Sequence, residues 1–338
     1  MIDVKEITDQ STWDHFLTSL QPNTFLQSWA WGQVQKTSGE TVRYLGIFAS
    51  GQQIGCALTI TVQARRGVFL LIPHGPIFSQ NLSPRKYLPP LVNHLKKIAQ
   101  PDKAVAIRIA PLLLDTPQTR QLFQELGFHP APLHMHAELT WLKDISQPAD
   151  VLLSNMRKTT RHAINKALKD PDLNVAALTD PDQIITRFWP LYQKTGHRHD
   201  FVLWSRSLIL DQLKQLDSYA IFARYKNQDV AAAIVLKFGA TAFYYHGASL
   251  KMPSRLPASH LVQWQAMLTA KERNCVQYNF WGIAPDDQTN HPFAGITVFK
   301  KGFGGQALNY LHAQDLPITW RYARLWLVDT YRRLKRGF

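Results

Sequence analysis

The chain of 338 residues is poor in cysteine, in acidic side chains and in long apolar runs. Cys56 and Cys275 are its only cysteines, which excludes a disulfide framework and a cysteine-type zinc site. No apolar run approaches the roughly 20 residues of a membrane span. The N-terminal MIDVKEITDQ is polar and lacks the apolar core of a signal peptide. The sequence therefore predicts a soluble, cytoplasmic protein.

Several catalytic signatures are also missing. The chain has no P-loop, no GxSxG nucleophile motif and no HExxH zinc motif among its 13 histidines. Neither cysteine has a histidine partner close in sequence, so a thiol nucleophile has little support. His197 and His199 flank Arg198 in TGHRHD, which is weak evidence for metal and typical of a solvated loop. The sequence predicts no metal site.

Positive charge is in excess. Lysine and arginine number 38 against 24 aspartates and glutamates, which gives a formal charge of +14. That excess predicts an anionic partner: nucleic acid, a phosphorylated substrate or an anionic membrane surface. The alternative is a basic protein without such a partner. Hydrophobic residues make up 45% of the chain, enough for folded cores.

The pattern of helices and strands occurs twice. Ile-Phe-Ala at 47–49 recurs at 221–223, and Ile-Ala-Pro at 109–111 recurs at 283–285, both 174 positions later. Each half is predicted in the order hairpin, strand, helix, strand, helix, Gly-Phe, which indicates duplication. The unit is a mixed sheet with a crossover and resembles the GNAT acyltransferase fold. The predicted fold class is therefore α/β (mixed α+β), with two tandem GNAT-like domains.

The predicted domain boundary lies in the polar, proline-containing stretch DISQPA at 144–149. We expect a first domain at 1–145 and a second at 146–316, with a C-terminal helix in 317–338 packed on the first. The apolar stripe of that helix is expected to make the contact: Trp320, Ala323, Leu327, Tyr331 and Leu334. Its basic residues would stay exposed, either solvated or in contact with tRNA or anionic lipid headgroups: Arg321, Arg324, Arg332, Arg333, Lys335 and Arg336.

A second basic helix is predicted at 150–169, around MRKTTRHAINKALK. Met156, Ala163 and Ala167 can face a core, while the arginines and lysines face elsewhere. Such a charged face is usually solvated, and the alternative is a surface for RNA or phosphate.

The stretch 280–305, FWGIAPDDQTNHPFAGITVFKKGFGG, is the strongest candidate for a functional site. It joins a strand end to a polar loop, two adjacent lysines and three closely spaced glycines, Gly302, Gly304 and Gly305. The alternative is a strand, a loop and a basic helix with a glycine C-cap. The nearest match to an acetyl-CoA pyrophosphate loop, 299–304, has Phe299 where arginine or glutamine is expected. This departure argues against an ordinary acetyl-CoA pocket.

Five segments together resemble the Fem (FemABX) family of tRNA-dependent peptidyltransferases. They are FLQSWAWGQVQK at 25–36, LIPHGPIF at 71–78, MRKTTRHAINKA at 156–167, FYYHGAS at 243–249, and YNFWGI with GITVFKKGFGG at 278–283 and 295–305. The resemblance covers nearly the whole chain and implies two GNAT-like domains. The long coiled-coil arm of many members is absent, so the chain resembles the short form that acts on a nucleotide-linked precursor.

The resemblance implies aminoacyl transfer in cell-wall cross-bridge synthesis. An amine of the peptidoglycan stem peptide, in UDP-MurNAc-pentapeptide or lipid II, would attack the ester carbonyl of aminoacyl-tRNA. The ester is already activated, so the reaction implies no metal, no cofactor and no covalent intermediate, with aminoacyl-tRNA as co-substrate. The expected protein is a monomer that can contact the anionic inner face of the membrane.

The resemblance also implies roles for residues of the FKK segment. Lys300 is expected to be catalytic, near the acceptor end of the tRNA, where it would counter phosphate charge or the developing oxyanion. Phe299 would stack on or shape the terminal nucleotide, and Lys301 would also bind tRNA. We assign no general base.

Three further residues are implied to bind the precursor. Lys36 and Arg206 resemble family residues that contact its phosphate-sugar portion, and Tyr244 falls among the aromatics that line its groove. Their alternatives are a helix-end cation, a surface arginine and a strand-packing tyrosine. Two other functions stay open: a GNAT-type acetyl-CoA N-acetyltransferase and a non-catalytic RNA-binding protein.

Overall fold

The structure, a computed structural model, describes residues 2–22, 24–80, 82–199, 202–251, 256–288 and 291–336, the last without its side chain. Predictions at Asp200, Thr289, Asn290 and the Arg336 side chain therefore lie outside the described part. The chain divides into two compact units. The first unit is Met1–Leu139, Pro285–Pro292 and Leu308–Phe338, and the second is Thr140–Ala284 and Phe293–Ala307.

Strands and helices alternate along both units. The strands are β1 Ile2–Glu6, β2 Thr41–Ala49, β3 Gln52–Ala64, β4 Gly67–Pro73, β5 Ile77–Phe78, β6 Ala106–Ala110, β7 His129–Pro130, β8 Leu139–Asp144, β9 Leu173–Leu178, β10 Ser218–Tyr225, β11 Gln228–Phe238, β12 Thr241–Ser249, β13 Gln277–Gly282, β14 Gln306–Asn309 and β15 Gln314–Pro317. The helices are α1 Gln10–Thr18, α2 Trp29–Thr37, α3 Pro84–Ala99, α4 Pro117–Glu125, α5 Ala149–Ser154, α6 Lys158–Leu168, α7 Pro181–His199, α8 Arg206–Gln215, α9 Ala258–Glu272, α10 Ala294–Lys301 and α11 Tyr322–Arg336.

The first sheet has the order β1-β2-β3-β4-β6-β15-β7, with β5 paired to β3. β4 and β6 are parallel, and α3 makes the crossover between them. The spacing of Leu88, Leu91 and Leu95 gives α3 an apolar face that is buried against the sheet. The hairpin, strand, helix, strand order predicted for this half is confirmed.

The second sheet has the order β14-β8-β13-β12-β11-β10-β9. Here β12 and β13 are parallel, and α9 is the crossover. α9 is apolar on most sides, as befits a helix buried in a core that also contains Tyr219, Tyr278 and Phe280. The mixed α+β fold with a duplicated unit is therefore confirmed.

The observed division of the chain differs from the predicted boundaries at 145 and 316. β8 lies before residue 145 but pairs with β13 of the second sheet. β15 lies before residue 316 in most of its length but pairs with β6 of the first sheet. Each observed boundary differs from the predicted one because the strand beside it completes the sheet of the other unit.

The single basic helix predicted at 150–169 is two helices, α5 and α6. The break falls at Arg157, whose extended backbone directs its N–H to the Gly302 carbonyl at 2.9 Å. The Arg161 guanidinium donates to the Ser154 carbonyl at 2.8 Å and so caps the last turn of α5. The predicted loop around His197 is also wrong, because His197 and His199 form the last turn of α7.

The C-terminal helix α11 belongs to the first unit, but the predicted contact stripe is wrong. Tyr322, Leu325 and Asp329 are the buried positions, whereas the predicted stripe from Trp320 to Leu334 is exposed. A buried aspartate satisfied by arginines, not a row of leucines, fixes the helix. No described helix is long and apolar enough to cross a bilayer.

That aspartate belongs to a buried ion-pair network. The Arg108 guanidinium on β6 donates to both carboxylate oxygens of Asp315, at 2.7 and 2.8 Å, and to Asp329 at 3.0 Å. Arg66 approaches the other Asp329 oxygen at 2.8 Å. Arg108, Asp315 and Asp329 are fully buried, so each charge depends on its partners for compensation.

We expect Asp329→Ala to destabilise the first unit by about 3 kcal/mol or more, because it removes one of the two carboxylates that compensate the buried Arg108 guanidinium. Glu125→Ala removes an exposed ion pair with Arg85, which solvent screens, and should cost much less. Denaturant unfolding of both variants measures the difference. Equal costs for the two variants would contradict this role for Asp329.

Candidate active site

The end of strand β13 in the second unit has an irregular backbone. Its register with β8 shifts between Asn279 and Gly282, and Trp281 has φ +65. The Asn279 side chain stabilises this conformation by accepting the Trp281 N–H at 2.8 Å. A bulge and a positive φ at a non-glycine residue store strain that re-aims the strand end, as is common at functional sites.

Lys300 on α10 reaches this strand end. Its Nζ donates to the Gly282 carbonyl at 2.6 Å and lies 5.8 Å from the centre of the Tyr244 ring. The residue is 5% exposed, and burial lowers the pKa of Lys300 to about 7. Among the described residues no carboxylate forms an ion pair with it. An arriving anion would favour the ammonium form and raise its pKa again.

Helix α10 is tied to the loop that follows β13. Thr297 Oγ accepts the Ala284 N–H at 2.8 Å and donates to the Phe293 carbonyl at 2.7 Å. These two hydrogen bonds fix the helix to the loop beside the Gly282 carbonyl. Gly302 caps the helix, which confirms the helix with a glycine C-cap given as the alternative for this stretch.

The neighbours of Lys300 are placed differently. The half-buried Phe299 ring meets His260 and Phe303 edge-on, at centroid distances of 5.0 and 5.2 Å. Lys301 Nζ lies 5.4 Å from the centre of the Trp141 ring. Phe299 therefore has a packing role in the second unit in addition to any contact with a nucleotide.

The glycines after Lys301 are required by the protein's own packing. Gly304 and Gly305 have φ +78 and +116, and a Cβ on Gly305 would lie 2.4 Å from the Leu142 carbonyl oxygen. The turn follows the C-terminus of α10 and leads into β14, so it does not open a helix. Pyrophosphate loops bind at helix N-termini, where the dipole favours anions, and this turn lies at the opposite end.

Tyr244 lies on β12, where its hydroxyl would be 1.8 Å from a Cβ on Gly247. The glycine of FYYHGAS therefore leaves room for this tyrosine. Burial raises the pKa of Tyr244 to about 12, so the phenol is neutral under ordinary conditions. Its ring is partly buried against the core of the second unit.

Lys143 on β8 was missed by the sequence analysis. It is 5% exposed, burial lowers its pKa, and its Nζ would be 3.3 Å from a Cβ on Gly304. The only available signal is the alternation in LTWLKD, which ends at the predicted domain boundary. Among the described residues, the second unit thus contains two buried lysines, Lys300 on α10 and Lys143 on β8.

In the first unit, Lys36 lies in the last turn of α2, which Ser28 caps as predicted. Its exposed Nζ lies 5.3 Å from the centre of the Tyr44 ring and 5.8 Å from that of Trp29. The two rings stack at 3.9 Å, and Tyr44 donates to the Trp29 carbonyl at 2.8 Å. Lys36 is thus a cation held over a rigid aromatic pair.

Gln27 joins two of the sequence segments in the first unit. Its side chain donates to the Pro73 carbonyl at 2.6 Å and accepts the Leu58 N–H at 2.7 Å. Gly75 is needed beside it, since a Cβ there would lie 2.6 Å from the Gln27 amide. The segments FLQSWAW and PHGP are therefore packed together.

Arg206 is exposed at the first position of α8, capped by Ser205. The structure thus brings Lys300 and Tyr244 together in the second unit, with Phe299 and Lys301 on the same helix as Lys300. Arg206 lies on another element of that unit.

One group of described side chains in the first unit has the donor types of a metal site: His134, Glu138 and His312. Hydrogen bonds account for two of them. His312 places one ring nitrogen 2.7 Å from Glu138 and the other 2.7 Å from the Ala131 carbonyl. Burial opposes charge on this ring, but the Glu138 carboxylate outweighs it and raises the pKa of His312. The group is therefore best described as a half-buried hydrogen-bonded histidine–glutamate pair.

The comparison with known families decides the family membership. The model of the FemAB family matches residues 8–208 and 210–327. The chain belongs to the FemAB family. The resemblance drawn from five short segments is thereby confirmed.

Two relatives are named as transferases. Aminoacyltransferase FemA of Staphylococcus epidermidis is 30% identical over 93 residues, which are 28% of this chain and 21% of that protein. Lipid II:glycine glycyltransferase of Staphylococcus aureus is 22% identical over 377 aligned positions, covering 88% of this chain and 89% of that protein. The FemA match thus spans about a fifth of that relative.

Solved structures confirm the fold of this FemAB-family chain. FemX has a TM-score of 0.83 at 19% identity, covering 97% of this chain and all of that one. A tandem GNAT protein from the clavulanic acid biosynthesis pathway has a TM-score of 0.57 at 11% identity, covering 94% and 99%. The two GNAT-like domains are therefore shown by structure as well as by the internal repeat.

The burial of Lys300 predicts a pH-dependent stability. Its pKa falls from 10.5 in the unfolded chain to about 7 in the fold, so the unfolded state binds an extra proton between these values. Stability from this group is lowest below pH 7 and rises as pH increases toward 10. The free energy of unfolding of Lys300→Met, relative to wild type, should therefore be higher at pH 7 than at pH 10. The difference between the two pH values should exceed about 1 kcal/mol.

Urea unfolding at both pH values measures this, with Lys214→Met as the control. Lys214 is half-exposed and forms a loose ion pair with Asp182 at 3.5 Å. Its variant should show the same pH profile as wild type. A Lys300 variant that is equally affected at pH 7 and pH 10 would show that the amine is charged in the fold.

Proposed function

We propose that this FemAB-family protein transfers an amino acid from aminoacyl-tRNA to an amine of the peptidoglycan stem peptide, in UDP-MurNAc-pentapeptide or lipid II. The observation that carries the proposal is Lys300, buried beside the irregular end of β13 without a carboxylate partner among the described residues. Family membership supports the reaction class, since its relatives are named aminoacyltransferase and glycyltransferase.

Lys300 would act on the charge that develops during transfer. The acceptor amine forms a C–N bond to the ester carbonyl, and the carbonyl carbon then breaks its bond to the ribose oxygen. The ribose hydroxyl leaves with a proton, and the amine loses one. A lysine already removed from water can stabilise the intermediate oxyanion without solvent reorganisation. Phosphates near the acceptor end would keep it protonated.

The geometry disfavours the acetyl-CoA alternative. An N-acetyltransferase needs backbone N–H groups at a helix N-terminus for the pyrophosphate. The glycines of segment 302–305 instead follow the end of α10, and Gly304 and Gly305 pack on β8. A non-catalytic RNA-binding protein would explain the charge of +14 but not a buried, uncompensated lysine.

The remaining residues are proposed to hold the two anionic substrates. Lys301 and Phe299, on the same helix as Lys300, would meet the tRNA terminus. Lys36 on its aromatic pair, together with Arg206 and Tyr244, would contact the precursor. We propose a monomer without a resident cofactor, in the cytoplasm, that reaches lipid II at the inner face of the membrane.

We expect Lys300→Met to lower the single-turnover rate about 100-fold or more, as for loss of one oxyanion-stabilising group. The assay combines protein, total tRNA, a synthetase extract and amino acids with UDP-MurNAc-pentapeptide or lipid II. Mass spectrometry detects the added residue, and RNase treatment should abolish the gain. Lys214→Met should retain the wild-type rate.

An unchanged rate in folded Lys300→Met would remove this lysine from the mechanism. A mass gain that survives RNase, or acetyl-CoA turnover in its place, would overturn the proposed donor. A gain with lipid II alone would retain the reaction and identify the acceptor.

The proposed role of Lys36 predicts a binding defect. Lys36→Ala should raise KM for UDP-MurNAc-pentapeptide about tenfold with kcat little changed, because a contact to a phosphate is equally strong before and during reaction. Lys97→Ala is the matched control, since Lys97 also lies in the last turn of a helix in the first unit. Equal KM values for both variants would reduce Lys36 to a helix-end cation.

A further inference from the structure

The C-terminal helix α11 carries an apolar face that the first unit does not cover. We call Leu327, Tyr331 and Leu334 of α11, together with Trp320 in the turn just before it, the α11 stripe; Trp320 is 84% exposed and the other three are 61%, 67% and 72% exposed. Isolated exposed apolar residues need no explanation, but a contiguous row along one helix marks an interaction surface.

The α11 stripe lies opposite the face that holds the helix on its unit. Successive residues turn by about 100°, so Leu327, Tyr331 and Leu334 fall within about 60° of one another. Leu325 and Asp329, which are fully buried, lie roughly half a turn away. Packing on the first unit therefore accounts for one face of α11 and leaves the stripe unexplained.

Positive charge surrounds the stripe. The exposed basic residues of this segment are Arg321, Arg324, Arg332, Arg333 and Lys335. Arg324 and Lys335 lie beside the stripe, within about 80° of Tyr331 on the helical wheel. The one acidic residue of the helix, Asp329, is buried and paired with Arg108 and Arg66. The exposed surface of α11 is therefore cationic without compensation by its own carboxylate.

An apolar groove adjoins the stripe. It has a volume of about 520 Å³ and is lined by residues that include His129, Pro317, Trp320, Trp326 and Leu327. Trp326 is itself 41% exposed. The groove widens the apolar surface beside the N-terminal end of the helix.

We propose that the α11 stripe docks on a bilayer that contains anionic lipid, with the helix lying in the plane of the interface. Tryptophan, tyrosine and leucine on one side and arginine beside them are the composition of interfacial helices. RNA would account for the arginines but not for two exposed leucines. The inference deepens the proposed function, in which lipid II is one of two acceptors, by naming the surface that brings the protein to it.

The test is cosedimentation with vesicles of dioleoylphosphatidylglycerol and dioleoylphosphatidylcholine, against vesicles of the latter alone. Wild type should bind the anionic vesicles, and the binding should weaken with salt. Changing the stripe to serine at all four positions should lower the apparent affinity at least about tenfold. Leu114→Ser, at an exposed leucine elsewhere in the first unit, should bind as wild type does.

Three results would overturn the proposal. Absence of binding of the wild-type protein to anionic vesicles at low salt would show that the α11 stripe does not dock on a bilayer. Vesicle binding lost in Arg324→Gln/Lys335→Gln but unchanged in the serine variant is attraction by charge alone. A serine variant that loses tRNA affinity or self-association, but no vesicle binding, assigns the stripe to RNA or to a second copy.

Transfer to soluble UDP-MurNAc-pentapeptide separates this inference from the proposed function. The serine variant should retain that activity while losing turnover of lipid II in vesicles. Loss of activity with both substrates, while vesicle binding stays intact, would contradict a docking role. Absence of transfer in wild type would instead count against the proposed reaction.

Discussion

Removing a cation from water costs free energy that nearby groups must return, and both halves of this chain remove one. In the first unit Arg108 is fully buried but faces Asp315 and Asp329, so its charge is compensated and joins β6, β15 and α11. In the second unit the buried Lys300 donates to the Gly282 carbonyl and lies beside the Tyr244 ring, and no carboxylate of the described residues pairs with it. The first arrangement is structural, while the second leaves a positive group whose protonation depends on what binds beside it.

The backbone around Lys300 is shaped by the same requirement. The bulge at Asn279–Gly282 turns a carbonyl toward the amine, and Thr297 fixes α10 so that the lysine can reach it. Gly305 then lets the chain pack on β8, where a Cβ would lie only 2.4 Å from the Leu142 carbonyl oxygen. Gly304 and Gly305 thus serve the protein's own close packing. Lys300 is the chemically distinctive group of this segment.

Much of the fold could be predicted from the sequence because its signals are local. Ser28 caps α2 and Pro84 is the first residue of α3, which are signals that lie at the helix starts themselves, and the offset of 174 residues indicates duplication. The errors arose where distant contacts decide. The break at Arg157 depends on the Gly302 carbonyl, and β8 belongs to the second sheet because of β13. The Gly302 carbonyl and β13 both lie far away in sequence, so no local pattern could indicate these contacts.

The candidate site divides in the same way. Lys300 and Lys36 could be named from motifs, but the aromatic pair under Lys36 and the burial of Lys143 depend on side chains far away in sequence. Helix α11 shows the limit most clearly. Its leucine and tyrosine periodicity was read correctly, yet periodicity reports only that residues share a face. The covered face is the one that carries Leu325 and Asp329, and Asp329 is held there by the buried Arg108 and the half-buried Arg66, partners that no local pattern contains.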